Sequence, residues 1–327
     1  MELLTASAGS YPKIGEGQER QLHRQAYARW EKGEISDEEF ERIQDQVTSE
    51  VIREQVRAGL DIVTDGQIRW YDPISHIARK LEGCEINGLL RFFDTNFYFR
   101  QPVITGKITG KKPVLRREFE YAARVSPKQV KPVITGPYTL ARLSIDRRGV
   151  GLERIVDEFS EVISKEVAEL ADAGARLVQI DEPAIIENPE DICLLDSALG
   201  RISRAKKNAG IILHLYFSDV TYIYDELLEL PVDGLSFDFT YGRGLEDEIA
   251  DTGCEKDLGL GLIDGRNTRI EDANDVYTRA AKALSGFGGK RAYLSPSCGL
   301  EYLPREVAYR KLENMVAISK MLKEEIV

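Results

Sequence analysis

Short apolar runs recur along the chain, most of them continuous rather than alternating. They are LLTASAGSYP (3–12), DIVTDGQ (61–67), PVITGKI (102–108), KPVITGPYT (131–139), RLVQIDEP (176–183), GIILHLYF (210–217), DGLSFDF (233–239), LGLGLIDGR (258–266) and AYLSPSCG (292–299). Strands covered on both faces read this way. Between them the apolar spacing changes to that of helices. In ISDEEFERIQDQVTSEVIREQVRAG, Phe40, Ile43, Val47, Val51 and Val56 form one stripe. Ser36 and Glu39 have capping-box spacing, and Gly59 predicts the stop. LERIVDEFSEVISKEVAELADAG repeats the design and ends at Gly174. RISRAKKNAG, VTYIYDELLEL, ANDVYTRAAKALSGFGG and PREVAYRKLENMVAISKMLKEE follow as further helices.

Alternating strands and helices predict an α/β fold with a parallel sheet. An open dinucleotide-binding sheet should carry GxGxxG after its first strand. The first run leads instead into GSYPKIGEG, and GLGLIDG has the wrong spacing with no helix directly after it. In a (β/α)8 TIM barrel, functional residues gather at the C-terminal strand ends. Ser10, Asp65, Asp181, Glu182, His214, Asp238, Asp264 and Cys298 all fall there. The expectation is one TIM barrel domain over residues 1–327, with an N-terminal helical excursion. Nine runs for eight places put one outside, and FYFRQPVITGKI (97–108) reads as a hairpin excursion.

Net charge is −11 and 43% of the residues are hydrophobic. An acidic surface disfavours nucleic acid and anionic membranes as partners. No run approaches a membrane span, and MELLTASAGSYP lacks the features of a signal peptide, so a cytoplasmic location is expected. The four cysteines form no CxxC pair. Cys84, Cys193 and Cys254 read as small buried apolar residues.

His214, Asp238 and Cys298 are zinc-ligand types on three separate strand ends, and three protein ligands leave an open position for substrate. Residue types alone favour a plainer reading: a histidine bonded to a carbonyl, a capping aspartate and a core cysteine. In QIDEP, Asp181 and Glu182 point in different directions. One can face the mouth and bind an ammonium group, or the pair caps the next helix; their place at a strand end favours function. TGPYT and SYPKIG offer hydroxyls and backbone N–H groups that suit a carboxylate, or else simply make turns.

In series, these motifs resemble the cobalamin-independent methionine synthase family over nearly the whole chain. The matching stretches are SYPKIG with a following RQL, TDGQIRWYD, VITGPYTLARLS, VQIDEPA, LHLYFSD, LPVDGLSFDF, GLGLIDGRN and LSPSCGLEYLP. The family is built of TIM barrels and transfers a methyl group to the sulfur of homocysteine. WEKGEIS, LPVDGLSFDF, GLIDGRN and SPSCGLEYLP look like the N-terminal, non-catalytic barrel of its long members. The single-barrel length and the ending CGLEYLPREVAYRKLENM look like its short archaeal members.

The resemblance implies zinc on His214, Asp238 and Cys298, with Tyr216 standing where the family has a further cysteine. It implies Asp181 on the substrate amino group, Ser10 on its carboxylate, and Gln67 at a further substrate contact. Asp181 and Glu182 are the candidate catalytic carboxylates. Arg266 occupies the place of the family's proton-donating histidine, and TGPYTLARLS lacks the tryptophan that lies near the pterin. An arginine does not give up its proton. The donor implied is therefore a methylated corrinoid protein rather than folate. Two alternatives stand beside this reading: a non-catalytic partner subunit that docks on a catalytic single-barrel chain, and a zinc-dependent alkyltransferase acting on another thiol.

Overall fold

A computed structural model describes residues 1–242 and 244–326. Eight strands point the same way around one axis. They are β1 (Glu2–Thr5), β2 (Ile62–Val63), β3 (Gln129–Val130 continued by Val133–Thr135), β4 (Leu177–Asp181), β5 (Gly210–Leu215), β6 (Gly234–Asp238), β7 (Asp257–Ile263) and β8 (Arg291–Pro296). Neighbours from β3 to β8 pair in parallel, and β8 pairs with β1. The Ala6–Ile62 bridge joins β1 to β2, and Ile62 and Val63 pair with Gln129 and Val130. The ring is closed, which leaves the barrel no free edge. Ala6, Ile62, Leu177, Ile212 and Tyr293 pack together as a small apolar cluster.

The ninth run lies outside, as its hairpin reading predicts. Tyr98–Gly110 pairs antiparallel with Leu81–Arg91, and its other edge takes up Ile145–Asp146. Gly83 sits at a bulge with φ +77, where a Cβ would lie 2.4 Å from the Lys107 carbonyl oxygen. No other residue type fits so close a backbone approach. Two buried carboxylates fasten the connection to the helix Leu152–Asp172. Glu158 accepts from the Ile108 amide at 2.9 Å, and Glu166 accepts from the Val114 amide at 2.8 Å.

The helix Asp37–Ala58 forms as its pattern predicts. Ser36 Oγ accepts from the Glu39 amide at 3.2 Å, and Gly59 takes the left-handed conformation that ends the helix. Its stripe buries Val47, Val51 and Ile52 completely or nearly so. Each such side chain contributes about 1.5–3 kcal/mol of burial. The expected excursion is the helix Leu22–Glu31, packed on the first turns of Asp37–Ala58 through Phe40 and Ile43. Boundaries differ: the helix expected at 201–210 begins at Ile192 and ends at Ala205, that at 220–230 is α-helical over Tyr224–Glu229, and that at 273–289 ends at Ser285. Pattern reading also passed over the helices Arg116–Val125 and Pro137–Arg142. Among the described residues, no helix is long and apolar enough to cross a membrane. The cysteine reading holds for Cys254 alone: Cys84 is half-buried and Cys193 is exposed.

Candidate functional site

Strand register builds the site. Thr135, Asp181, His214 and Ser236 are successive partners across β3 to β6, at one level near the C-terminal mouth. In-register neighbours of a parallel sheet present their side chains to the same face. His214 Nδ1 accordingly lies 3.0 Å from Ser236 Oγ and 3.3 Å from the Ser236 carbonyl. With Nδ1–H donating to that carbonyl, Nε2 carries the lone pair. Nε2 is buried and has no hydrogen-bond partner. Burial, then the charge of Lys131, pushes the imidazole down to about 3, so it is neutral at working pH.

Asp181 ends β4 and keeps some exposure. Its Oδ1 accepts from Gln179 Nε2 at 2.7 Å. Burial pushes its carboxyl up to about 7, against the opposing pull of Gln179 and Lys131. Glu182 goes the other way. It is fully buried, and its carboxylate accepts from the Tyr138 amide at 2.9 Å and the Thr139 amide at 2.7 Å. These are first-turn donors of the helix Pro137–Arg142, which have no partner within the helix. Burial raises the Glu182 carboxyl to about 7. Glu182, expected as a catalytic carboxylate, is placed on a helix start, and that helix begins in TGPYT rather than after QIDEP.

Lys131 was not foreseen. It occupies the break in β3, is almost fully buried, and donates to Gln179 Oε1. Burial lowers its ammonium to about 8. A lysine opening an apolar run passes for a strand boundary. The readable signal was Gln179, two residues before Asp181 on the same face.

The three expected zinc ligands are each engaged elsewhere or short of a partner. Asp238 Oδ1 accepts from the Thr240 amide at 2.8 Å and the Thr240 hydroxyl at 2.5 Å, and Oδ2 accepts from the Phe217 amide at 3.2 Å. This is a capped turn, the plainer role for an aspartate at a strand end. Cys298 is buried against Ser297 Oγ and the Gly299 carbonyl, and burial together with Asp238 raises its thiol well above the ordinary value. Tyr216 is buried and held protonated by that burial. Among the described residues no three His, Cys, Asp or Glu side chains stand together in a group that could hold a metal ion. As arranged, these side chains form no group that fits zinc, and among the expected ligands His214 Nε2 is the buried nitrogen left without a hydrogen-bond partner.

Ser10 is buried beneath the β8 loop. A Cβ on Gly299 would lie 2.0 Å from Ser10 Oγ, and the Ser10 carbonyl accepts from the Leu300 amide at 2.8 Å. Burial raises the Glu301 carboxyl, and the nearby Ser10 hydroxyl opposes that rise. Gln67 turns the chain after β2 with φ 51, and its amide donates to Asp65 Oδ1 at 3.0 Å. Arg266 lies 5.0 Å from the centre of the Phe217 ring and 4.6 Å from that of Tyr241. An aromatic chain crosses the mouth above His214. Ring centroids run from His214 to Tyr216 at 5.0 Å, Tyr216 to Phe217 at 4.6 Å, Phe217 to Tyr302 at 6.0 Å, and Tyr302 to Phe97 of the hairpin turn at 4.6 Å. Phe217 holds φ 74, costly for a bulky residue.

Beside the barrel, SYPKIG and the excursion enclose a cavity of about 370 Å³ lined by Lys13, His23, Tyr27, Trp70 and Tyr71 among others. His23 Nε2 is buried without a partner, and burial lowers the imidazole to about 4. The fold therefore favours neutral His23. That contribution is complete above about 6.5 and is lost as pH falls toward about 4, at about 1.4 kcal/mol per pH unit. His23→Gln should flatten the fall in stability between pH 6.5 and 4.5 relative to the parent chain, as read from urea midpoints. Parallel pH dependences in the two proteins would refute this assignment.

Comparison with known proteins agrees with this architecture. The family model described as "Cobalamin-independent synthase, Catalytic domain" matches residues 3–321. The methionine synthase of Saccharolobus islandicus is 32% identical over 326 residues, covering 99% of this chain and 96% of that protein. That of Sulfurisphaera tokodaii is 31% identical, covering 99% and 94%. Among solved structures, a B12-independent methionine synthase from a Shewanella species, in complex with selenomethionine, superposes with TM-score 0.81 at 21% identity, covering 100% of this chain and 99% of the other. A Listeria monocytogenes protein described as a vitamin-B12 independent methionine synthase gives 0.74 at 20%, covering 97% and 96%. These two superpositions support the TIM barrel, while the family-model match and the sequence identities support the conclusion that the chain belongs to the cobalamin-independent methionine synthase family.

Proposed function

We propose that this chain is a methyltransferase that carries a methyl group to the thiol of L-homocysteine. The observation that carries the reading is the placement of Asp181 and His214 side by side at the mouth, one partly exposed and the other with a buried lone pair. Asp181 pairs with the substrate ammonium, whose charge draws the carboxyl back to its ionised form. The thiol donates to His214 Nε2, and the substrate carboxylate lies toward Ser10 and Gln67. The sulfur attacks the methyl carbon, the bond from methyl to donor breaks with its electron pair passing to the donor, and the thiol proton is released. No step is assigned to a metal.

Arg266, stacked between two rings, offers no proton to a folate leaving group, so the donor is a methylated corrinoid protein. A second reading is favoured by the engaged Asp238 and by Tyr216: a non-catalytic subunit that docks on a catalytic barrel. Purified chain incubated with L-homocysteine should yield methionine with methylcobalamin and none with 5-methyltetrahydrofolate. Methionine formed only after a catalytic single-barrel chain is added would establish the second reading. Turnover of coenzyme M in place of homocysteine would establish a different thiol acceptor.

A further inference from the structure

We infer that Lys131 is a positioning residue for the substrate amino group, acting through Gln179 on Asp181. The inference rests on the placing of that amino group at Asp181. Lys131 lies in the interruption of β3, where Pro132 follows and the Lys131 amide donates to the Val63 carbonyl at 2.8 Å. The side chain is 4% exposed. A buried ammonium requires a partner, and this one uses the carbonyl oxygen of Gln179 rather than a carboxylate. The bond fixes which way the Gln179 amide faces, because an ammonium only donates. Gln179 Nε2 then has both hydrogens engaged, one on the Ala8 carbonyl at 2.7 Å and one on Asp181 Oδ1 at 2.7 Å.

Asp181 is thus held by one oxygen, and the other stays free for a ligand. Strand geometry supports the chain of contacts. Gln179 and Asp181 lie two residues apart on β4 and face the same way, and Val133 and Thr135 are their register partners on β3. Losing the Lys131 ammonium leaves a buried carbonyl oxygen without its donor. Gln179 must then move to find another, and its amide leaves Asp181.

Calorimetric binding of L-homocysteine tests this, with 4-mercaptobutanoate, the same molecule without the amine, as the comparison ligand. The parent chain should prefer homocysteine. Asp181→Asn should abolish that preference. Lys131→Met and Gln179→Leu should each weaken homocysteine binding about tenfold, close to 1.4 kcal/mol, and leave 4-mercaptobutanoate binding unchanged. Adding Lys131→Met to Asp181→Asn should cost nothing more. A purely structural lysine would weaken both ligands alike, and that result overturns the inference. So does parent-like homocysteine preference in Lys131→Met alongside its loss in Asp181→Asn. Parent-like preference in Asp181→Asn removes the underlying placement of the amino group instead. Should Lys131→Met fail to fold, the double variant Lys131→Met with Gln179→Leu carries the test, since it removes the ammonium and its acceptor together and strands neither.

Discussion

Gly136→Ala should destabilise the barrel more than its single methyl group suggests. A Cβ at this position would lie 2.1 Å from Glu182 Oε1 and 2.2 Å from its carboxyl carbon. Those atoms cannot simply shift, because they hold the amides of Tyr138 and Thr139 in a fully buried place. Displacing the carboxylate strands two helix N-terminal donors, at about 1–3 kcal/mol for each buried unsatisfied group. The expected loss is about 3–5 kcal/mol, read from urea or guanidinium midpoints. Glu182→Ala should reach a similar value by the other route, removing the acceptor and leaving a void. The double variant should cost much less than the sum, because both changes dismantle one contact. Additive losses would show that Gly136 and Glu182 act independently.

Arg305→Met should produce the second large loss. Arg305 is 2% exposed, and its Nε donates to Glu54 Oε2 at 3.0 Å, joining the start of the helix Arg305–Ile326 to the helix Asp37–Ala58. Removing one partner of a buried ion pair leaves an uncompensated charge and costs about 3–5 kcal/mol. Glu54→Gln in the same chain relieves that charge, so Arg305→Met with Glu54→Gln should recover part of the loss. The neighbourhood makes the effect broader than one bond. Glu306, the next residue, accepts from the Glu16 amide at 2.9 Å and from Arg20 at 2.8 Å, so this helix also clasps the loop that follows SYPKIG. An Arg305→Met chain as stable as its parent would mean that the pair contributes nothing to the closure.

Some of this was readable in one dimension. The alternation of continuous apolar runs with helical stripes predicts the closed barrel, and the surplus run 97–108 has the composition of a hairpin. Ser36, Gly59 and Gly174 mark helix ends because capping is local chemistry. Glu182 shows where such reading stops. Its partners are amides more than forty residues earlier, and carboxylates at a barrel mouth look alike in sequence whether they face substrate or a helix end. Asp238 is the same case with a nearer partner, since Thr240 two residues on turns it into a cap. His214 was legible as a residue of interest, but the orphaned state of Nε2 depends on Ser236 across the strand. Lys131 was hidden because a lysine inside a barrel breaks the expectation that lysines lie outside.

The aromatic chain from His214 to Phe97 bears on time as well as shape. Tyr216 lies beside the His214 ring, Phe217 in its left-handed conformation packs on Tyr216, and the hairpin turn reaches Phe217 through Tyr302. Exchange of the barrel's contents past these rings would require that turn to lift, and lid-like loop motions run on the microsecond-to-millisecond scale. Under the activity proposed above, the thioether product would be bulkier and less polar than the thiol substrate, and would leave past the same rings. The activity proposed above then predicts a pace of turnover set at departure, by the hairpin rather than by the sulfur.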